Sequence, residues 1–306
     1  MGWRVTTDFF DIAADQKSVF AASDFYIPFE IRHDPSEKNV QVRNFKARLC
    51  AAIKMLRPQD GEVLFAQYAE DGGKNRFFDL ENMLFYNLGA SPFADCVAHG
   101  ISFSTLPDQA ALCRQNGVKE RKYAYIYQCL PLSAAESRFA ALPLMAEWRG
   151  VPLDCHEPNC PEKYWKALRR AGDSVTAFDF TETPTANSFA LKIALDLPKQ
   201  VKLANTIKPL LDGVICAFHG EDARCLECLA DFCMRQRCEE LSIPGPFPPV
   251  LGKRAYIRPY RNGRSFQWDP ADDRCKLALV TASYGAEAAS FSGEIYALQN
   301  PASIAG

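Results

Sequence analysis

Three stretches of this chain hold side chains of the kinds that act on phosphates. In "DLENMLFYNLG" Asp79, Glu81 and Asn82 stand together; in "KLANTIKPLLDGVICAFHGED" Asn205 is followed by Lys208, Asp212 and then the acidic pair Glu221 and Asp222. Short carboxylates are hard oxygen ligands of the type Mg²⁺ takes beside phosphate oxygens. A Lys one turn into a helix can neutralise charge developing on a phosphate, and an Asn at the entrance can cap that helix. The same residues also have a plainer reading, in which Asp79 and Asn82 cap one helix and Asp212-Gly213 ends another.

The third stretch is "KRAYIRPYRNGRSFQW", which reads as a β-hairpin turning at Asn262-Gly263. Lys253, Arg254, Arg258, Arg261 and Arg264 fall in it with no acid among them, interleaved with Tyr256 and Tyr260. Arg and aromatic side chains on one sheet face can stack bases and track a phosphate backbone. Alternatively, the aromatics pack on the second half of the chain and the Arg side chains form a rim.

Cysteine and histidine raise two further chemistries. The pairs Cys96/His99 and Cys216/His219 sit in the pentapeptides "CVAHG" and "CAFHG", and a thiol beside an imidazole can be a nucleophile. Cys225, Cys228, Cys233 and Cys238 crowd "CLECLADFCMRQRC", and Cys155, His156 and Cys160 form a second group. Structural zinc sites use two ligand pairs separated by a loop. Here the four Cys lie in a helix-forming segment where Cys225, Leu229 and Phe232 share one stripe, so core packing is favoured over Zn²⁺.

The elements that must position these groups recur in order along the chain. "NFKARLCAAIKML" and "YWKALRRAG" have apolar residues at helical spacing. An extended apolar segment follows each: "EVLFAQYA" in the first half and "FALKIALDL" in the second. Then come the segments led by Asn82 and Asn205, the two Cys-x-x-His-Gly pentapeptides, and a match of "KYAYIY" with "RAYIRPY". Collinear recurrence predicts an internal repeat. The expected fold is α+β, with two similar αβ units forming an intrachain pseudo-dimer and a β extension at the C-terminus. The units are placed at 1–135 and 136–243, with 244–306 a Pro-rich connector and hairpin completing the second.

At these residues the sequence resembles the RusA-type Holliday-junction resolvases. Their motif runs Asp-x-Asp-Asn, a Lys three residues on, an Asp four later and an acidic pair about ten beyond. The second half matches at Asn205, Lys208, Asp212 and Glu221-Asp222, but Lys202 and Ala204 replace the leading acids. The first half matches at Asp79, Glu81 and Asn82, but Phe85 replaces the Lys and Gly89 the Asp. The resemblance implies Mg²⁺ as cofactor, branched DNA as substrate and a two-fold scaffold; the division of the motif implies an incomplete nuclease site.

Composition bounds the rest. The 306 residues suffice for two units, each with its own core. No apolar run is long enough to span a bilayer. The N-terminus lacks the basic start and apolar middle of a signal peptide, although Gly2 and Thr6 fit a loose myristoylation pattern. Twelve Cys in such a chain read as reduced thiols, and a cytoplasmic location is expected. With 35 Lys and Arg against 37 Asp and Glu, nucleic-acid affinity must come from a local basic face or from other protein subunits. The favoured function is a nucleic-acid-associated binding or assembly subunit. The alternatives are a Mg²⁺-dependent structure-specific endonuclease and a structural interaction subunit stabilised by zinc.

Overall fold

Strands form where apolar side chains alternate. Along Ser290–Ala297 burial switches at every position, so one face of the strand meets the core and the other meets water. A computed structural model describes residues 2–28, 36–71, 79–106, 108–154, 156–157, 159–178, 188–221, 223–236, 249–259 and 266–298. The first half comprises β1 (Trp3–Thr6), β2 (Phe10–Ala14), β3 (Ser18–Ser23), α1 (Glu37–Ile53), β4 (Glu62–Glu70), α2 (Leu80–Leu84), β5 (Gly100–Thr105), α3 (Gln109–Gln115), β6 (Tyr123–Pro131) and α4 (Leu132–Glu136). The second comprises β7 (Leu144–Pro152), α5 (Pro161–Arg170), β8 (Val175–Ala177), β9 (Phe189–Leu197), α6 (Ile207–Ala217), α7 (Ala223–Gln236), β10 (Ile257–Pro259), β11 (Phe266–Trp268), β12 (Cys275–Tyr284) and β13 (Ser290–Ala297). The fold is mixed α+β.

One 11-stranded sheet carries both halves, in the order β1-β2-β3-β6-β4-β5-β12-β9-β13-β7-β8. Outward from the middle, one side runs β5, β4, β6, β3 and the other β12, β9, β13, β7. The innermost pair is parallel on each side, and the next two pairings are antiparallel. The sides meet where β5 and β12 pair antiparallel, with Thr281 opposite Gly100 and Leu277 opposite Ser104. Chain order, strand order and strand direction therefore agree between the halves. A Cβ at Gly100 would lie 2.7 Å from the Val280 carbonyl oxygen, so this seam needs glycine there.

Two expectations are corrected. The strand equivalent to β6, which contains "KYAYIY", is β13; "RAYIRPY" leads into β10, which pairs only with β11 in a separate two-stranded ribbon. Shared Ala-Tyr-Ile was a local coincidence, displaced by the insertion that carries α7 and the ribbon. Nor does each half keep its own core. One apolar cluster runs from Phe10 and Phe45 through Phe103 to Val280, Ile193 and Trp148, because pairing β5 with β12 makes the sheet continuous. The 244–306 segment supplies β12 and β13, interior strands of the same sheet.

Helices α1 and α5 each lay one stripe on this cluster: Val42, Phe45, Leu49, Ala52 and Ile53 from the first, and Tyr164, Trp165 and Leu168 from the second. Between β9 and β12, α6 is buried along most of its length. Gly213 lets it approach α5, for a Cβ there would lie 2.3 Å from the Pro161 carbonyl oxygen. Among the described residues no helix is long and apolar enough to cross a membrane.

Candidate functional site

The two crossover helices, α2 after β4 and α6 after β9, bring their polar side chains together over the seam. Asp79 is the N-cap of α2, where its carboxylate accepts from the Asn82 backbone N–H and side-chain amide. The capping reading is thus correct for Asp79, whose carboxylate also reaches across to the other half, but Asp212-Gly213 lies inside α6 and does not end it. Lys208, in the first turn of α6, places Nζ 3.3 Å from Asp79 Oδ2, 3.0 Å from Glu81 Oε2 and 2.9 Å from Asp212 Oδ1. A fourth carboxylate, Asp272 from the turn before β12, lies 3.2 Å away. The ring of Tyr86 covers the ammonium at 5.8 Å.

The environment of this cluster is close and largely apolar. Phe103, Leu211, Ile215, Cys275 and Ala278 line a cavity of about 10 Å³ together with the four acids. Burial pushes the Glu81 carboxyl well up; Lys208 opposes this, while Asp79 and Asp212 add to it. Burial likewise raises Asp212 to about 6 against the pull of Lys208. Asp272 is raised to about 7, by burial first and then by a hydrogen bond to Asp79 and that residue's charge. For Lys208, burial works against the charge, but the four carboxylates outweigh it and keep the ammonium protonated. The cluster therefore holds its charge with one resident cation and with shared protons.

As Mg²⁺ ligands these oxygens are of the right chemical kind, yet their arrangement does not fit the ion. The ammonium stands at the point all four carboxylates face. Among the described residues no group of three or more His, Cys, Asp or Glu side chains is disposed to hold a metal. Glu81 Oε1 has no hydrogen-bond partner, and Asp212 Oδ1 touches Lys208 without hydrogen-bond alignment.

Of the residues singled out by sequence, Asp79, Glu81, Asn82, Lys208 and Asp212 come together. Asn205 does not: it is exposed in the turn before α6, and its carbonyl accepts from the Asn159 amide at 2.7 Å. Asp222 lies outside the described residues. Its neighbour Glu221 pairs instead with Arg169 and accepts from the Tyr256 hydroxyl. The acid that spacing missed is Asp272. An acidic pair, Asp272-Asp273, immediately precedes a strand; the insertion after α6 moved it some sixty residues beyond Asp212, where a fixed spacing could not find it.

The hairpin face is also corrected. Its strands pair as expected, Ile257 opposite Trp268, but Tyr256 is fully buried. Its ring stacks on Trp268, which packs in turn on Trp165 and Phe232. Neither ring is free to stack a base, because the apolar area is worth more against α5 and α7 than in water. Arg254 donates to the Asp269 carbonyl, and Lys253 and Arg258 are exposed. Tyr260, Arg261, Arg264 and the Asn262-Gly263 turn lie outside the described residues.

Neither thiol–imidazole pair is set up as a nucleophile. Burial pushes Cys96 up to about 12 and Cys216 well above its ordinary value, so both stay protonated. On α7, Cys225 and Cys233 are buried beside Leu229 and Phe232, the packing expected of core thiols; Cys238 and Cys155 lie outside the described residues. No protein-family model matches this chain, and no curated protein matches it either.

Proposed function

We propose that this chain is a nucleic-acid-associated binding or assembly subunit on a doubled, resolvase-like scaffold whose carboxylate pocket is closed by its own lysine. The observation that carries this reading is the contact of Lys208 Nζ with four carboxylates at 2.9–3.3 Å, which leaves no open face for a catalytic cation. The matching order of the four inner strands on each side supports an internal duplication. Support for a nucleic-acid partner comes from α1 and its continuation to Arg57. Lys38, Arg43, Lys46, Arg48, Lys54 and Arg57 fall there against the single acid Glu37. Lys38, Arg48, Lys54 and Arg57 are exposed and Lys46 is half-buried. Cys50, on the same helix, reaches the Leu88 carbonyl just beyond α2, so this basic helix borders the candidate site. With overall charge near zero, such a patch gives weak affinity by itself and suits a subunit held on nucleic acid by protein partners.

The test is binding of labelled branched and single-stranded DNA by the full chain across a salt series. The triple variant Lys46→Glu, Arg48→Glu, Lys54→Glu should reduce binding at least tenfold and shallow the salt slope by about three. Absence of binding at about 50 mM salt, where phosphate contacts are strongest, would remove the reading.

A second reading, a Mg²⁺-dependent endonuclease, is favoured by one observation. The motif residues retained in each half are complementary: Asp79 and Glu81 from one meet Lys208 and Asp212 from the other. Nicking of branched DNA with Mg²⁺ or Mn²⁺, abolished by Asp79→Asn and Asp212→Asn, would establish this alternative.

A further inference from the structure

Buried carboxylates at three other places in this protein have a cation beside them. Asp11 has Arg121 at 3.1 Å, Glu221 has Arg169, and the acids of the junction have Lys208. Glu70, the last residue of β4, breaks the pattern. Its Oε2 is buried without a hydrogen-bond partner. Burial first and then the Asp71 charge push its carboxyl up, and among the described residues no cation opposes them.

What surrounds Glu70 is tyrosine. In the pairing of β4 with β6, Glu70 lies opposite Tyr123 and Tyr68 opposite Tyr125, so all four side chains stand on one face of the sheet. The Tyr68 ring stacks on Tyr123 at 6.4 Å and meets Tyr125 at 5.5 Å. Tyr68 is 1% exposed, yet its hydroxyl has no partner. The buried Tyr125 hydroxyl faces the Ile27 backbone without hydrogen-bond alignment. Tyr26, 43% exposed in the connection after β3, sets its ring edge-on to Tyr123 with centroids 6.4 Å apart.

Three oxygens able to accept, beside ring faces that attract positive charge, define the group that completes them. An ammonium brings three donors as a compact, strongly hydrated charge. A guanidinium brings five in one plane, stacks on aromatic rings and is more weakly hydrated. Sliding between Tyr26 and Tyr123, it would exchange their edge contact for stacking on both and bring its N–H fork to Glu70.

We propose that Glu70 with Tyr26, Tyr68, Tyr123 and Tyr125 forms a receptor site for a guanidinium on an alkyl stem, carried by an arginine side chain of a partner protein or by a free guanidino compound. The site does not depend on the nucleic-acid reading.

The test is titration of the full chain with acetyl-Gly-X-Gly-amide peptides, X being arginine, lysine or citrulline, and with agmatine, followed by the backbone amide NMR shifts of Glu70 and Tyr123. Wild type should bind the arginine peptide at least about tenfold more tightly than the citrulline peptide, which keeps the shape without the charge, with lysine between them. Glu70→Gln should lose this preference. Without ligand it should melt about 1–2 °C above wild type, because it removes a buried charge that has no counter-ion. Tyr26→Ala, at an exposed position, should stay folded and bind the arginine peptide about threefold more weakly or worse. Tighter binding of the peptide than of agmatine assigns the site to a partner's side chain, and the reverse order to a free compound. Equal affinity for the arginine and citrulline peptides, or no binding by wild type, would overturn the proposal. So would a lower melting temperature for Glu70→Gln, which would mean that the carboxylate already has its counter-charge within the chain.

Discussion

The two halves run their four inner strands in the same order and use them differently. In the first, the helix after the parallel strand is short, from Leu80 to Leu84, and offers acids. In the second, the equivalent helix runs from Ile207 to Ala217 and offers the cation. Where the first half lacks the lysine, Phe85 is buried and packs on Phe93 with ring centroids 4.5 Å apart. Where the second lacks an acid, Ala204 is buried and Lys202 is exposed. Asp79 and Glu81 of the first half meet Lys208 of the second, whereas Glu221 pairs with Arg169 of its own half. The pentapeptides diverge in the same way: His99 is about half exposed and 3.9 Å from Asp60, whereas His219 is buried with Nδ1 3.0 Å from the Gly252 carbonyl. Even the opposite sheet face differs. Phe20, Ile126, Val63 and Phe65 of the first half are covered, while the second half carries the half-buried Lys192 and Glu294 and the exposed Asp196. One composite polar centre thus forms where α2 and α6 meet.

The largest effect should come from the cation itself. Lys208→Ala strips the counter-charge from buried carboxylates and should cost about 3–5 kcal/mol in urea unfolding at pH 7.5 in EDTA. Lys202→Ala, at an exposed position in the turn leading to the same helix, should stay within about 0.5 kcal/mol. Similar losses from both would mean that the junction charges do not hold the halves together.

The histidines sharpen the contrast through pH. Burial, with the nearby Arg274 and Arg254 charges, depresses His219 from 6.5 to about 4, despite the Gly252 hydrogen bond that favours its charged form. Its unfolded form therefore binds more protons between those values, so the His219 contribution is present above pH 6.5 and lost as pH falls towards 4. The magnitude is on the order of 3 kcal/mol. Asp212 and Asp272, raised to about 6 and 7, work in the opposite sense over part of that window. The clean observable is therefore the difference between variants. His219→Gln should lose less stability than wild type from pH 6.5 to 4.5. Parallel pH profiles for His219→Gln and wild type would refute the assignment.

Much of this was legible before any coordinates. The segments 62–69 and 189–197 are strands, the basic amphipathic segments fall in α1 and α5, and Asp79, Glu81, Lys208 and Asp212 come together. What could not be read was anything that depends on the partner surface. Tyr256 and Arg258 look alike in an alternating pattern, and only the presence of Trp268 and Trp165 decides that Tyr256 turns inward. Asp272 was hidden because spacing rules assume an uninterrupted connection, and here α7 and the ribbon intervene. The seam was hidden for a related reason: pairing β5 with β12 joins strands more than 170 residues apart, and no local periodicity reports which edges will meet.

The smallest predicted effect concerns how closely α6 is held. Gly213 faces α5 with no space for a methyl group: a Cβ would meet the Pro161 carbonyl oxygen at 2.3 Å and the Tyr164 Cβ at 2.8 Å. Helical glycine is itself unfavourable by about 1 kcal/mol relative to alanine, so Gly213→Ala gains on propensity what it loses on contact. Backbone cannot rotate aside as a side chain can, and overpacking of this kind costs about 1–3 kcal/mol. The net loss should be about 1–2 kcal/mol. Relief requires α6 to move away from α5, and that movement carries Lys208 and Asp212 with it. Gly213→Ala should therefore weaken the wild type more than it weakens Lys208→Ala, with a coupling above about 0.5 kcal/mol in a double-mutant cycle. Additive losses would mean that the helix contact and the ion cluster are independent, and that the close approach of α5 and α6 does not position the lysine.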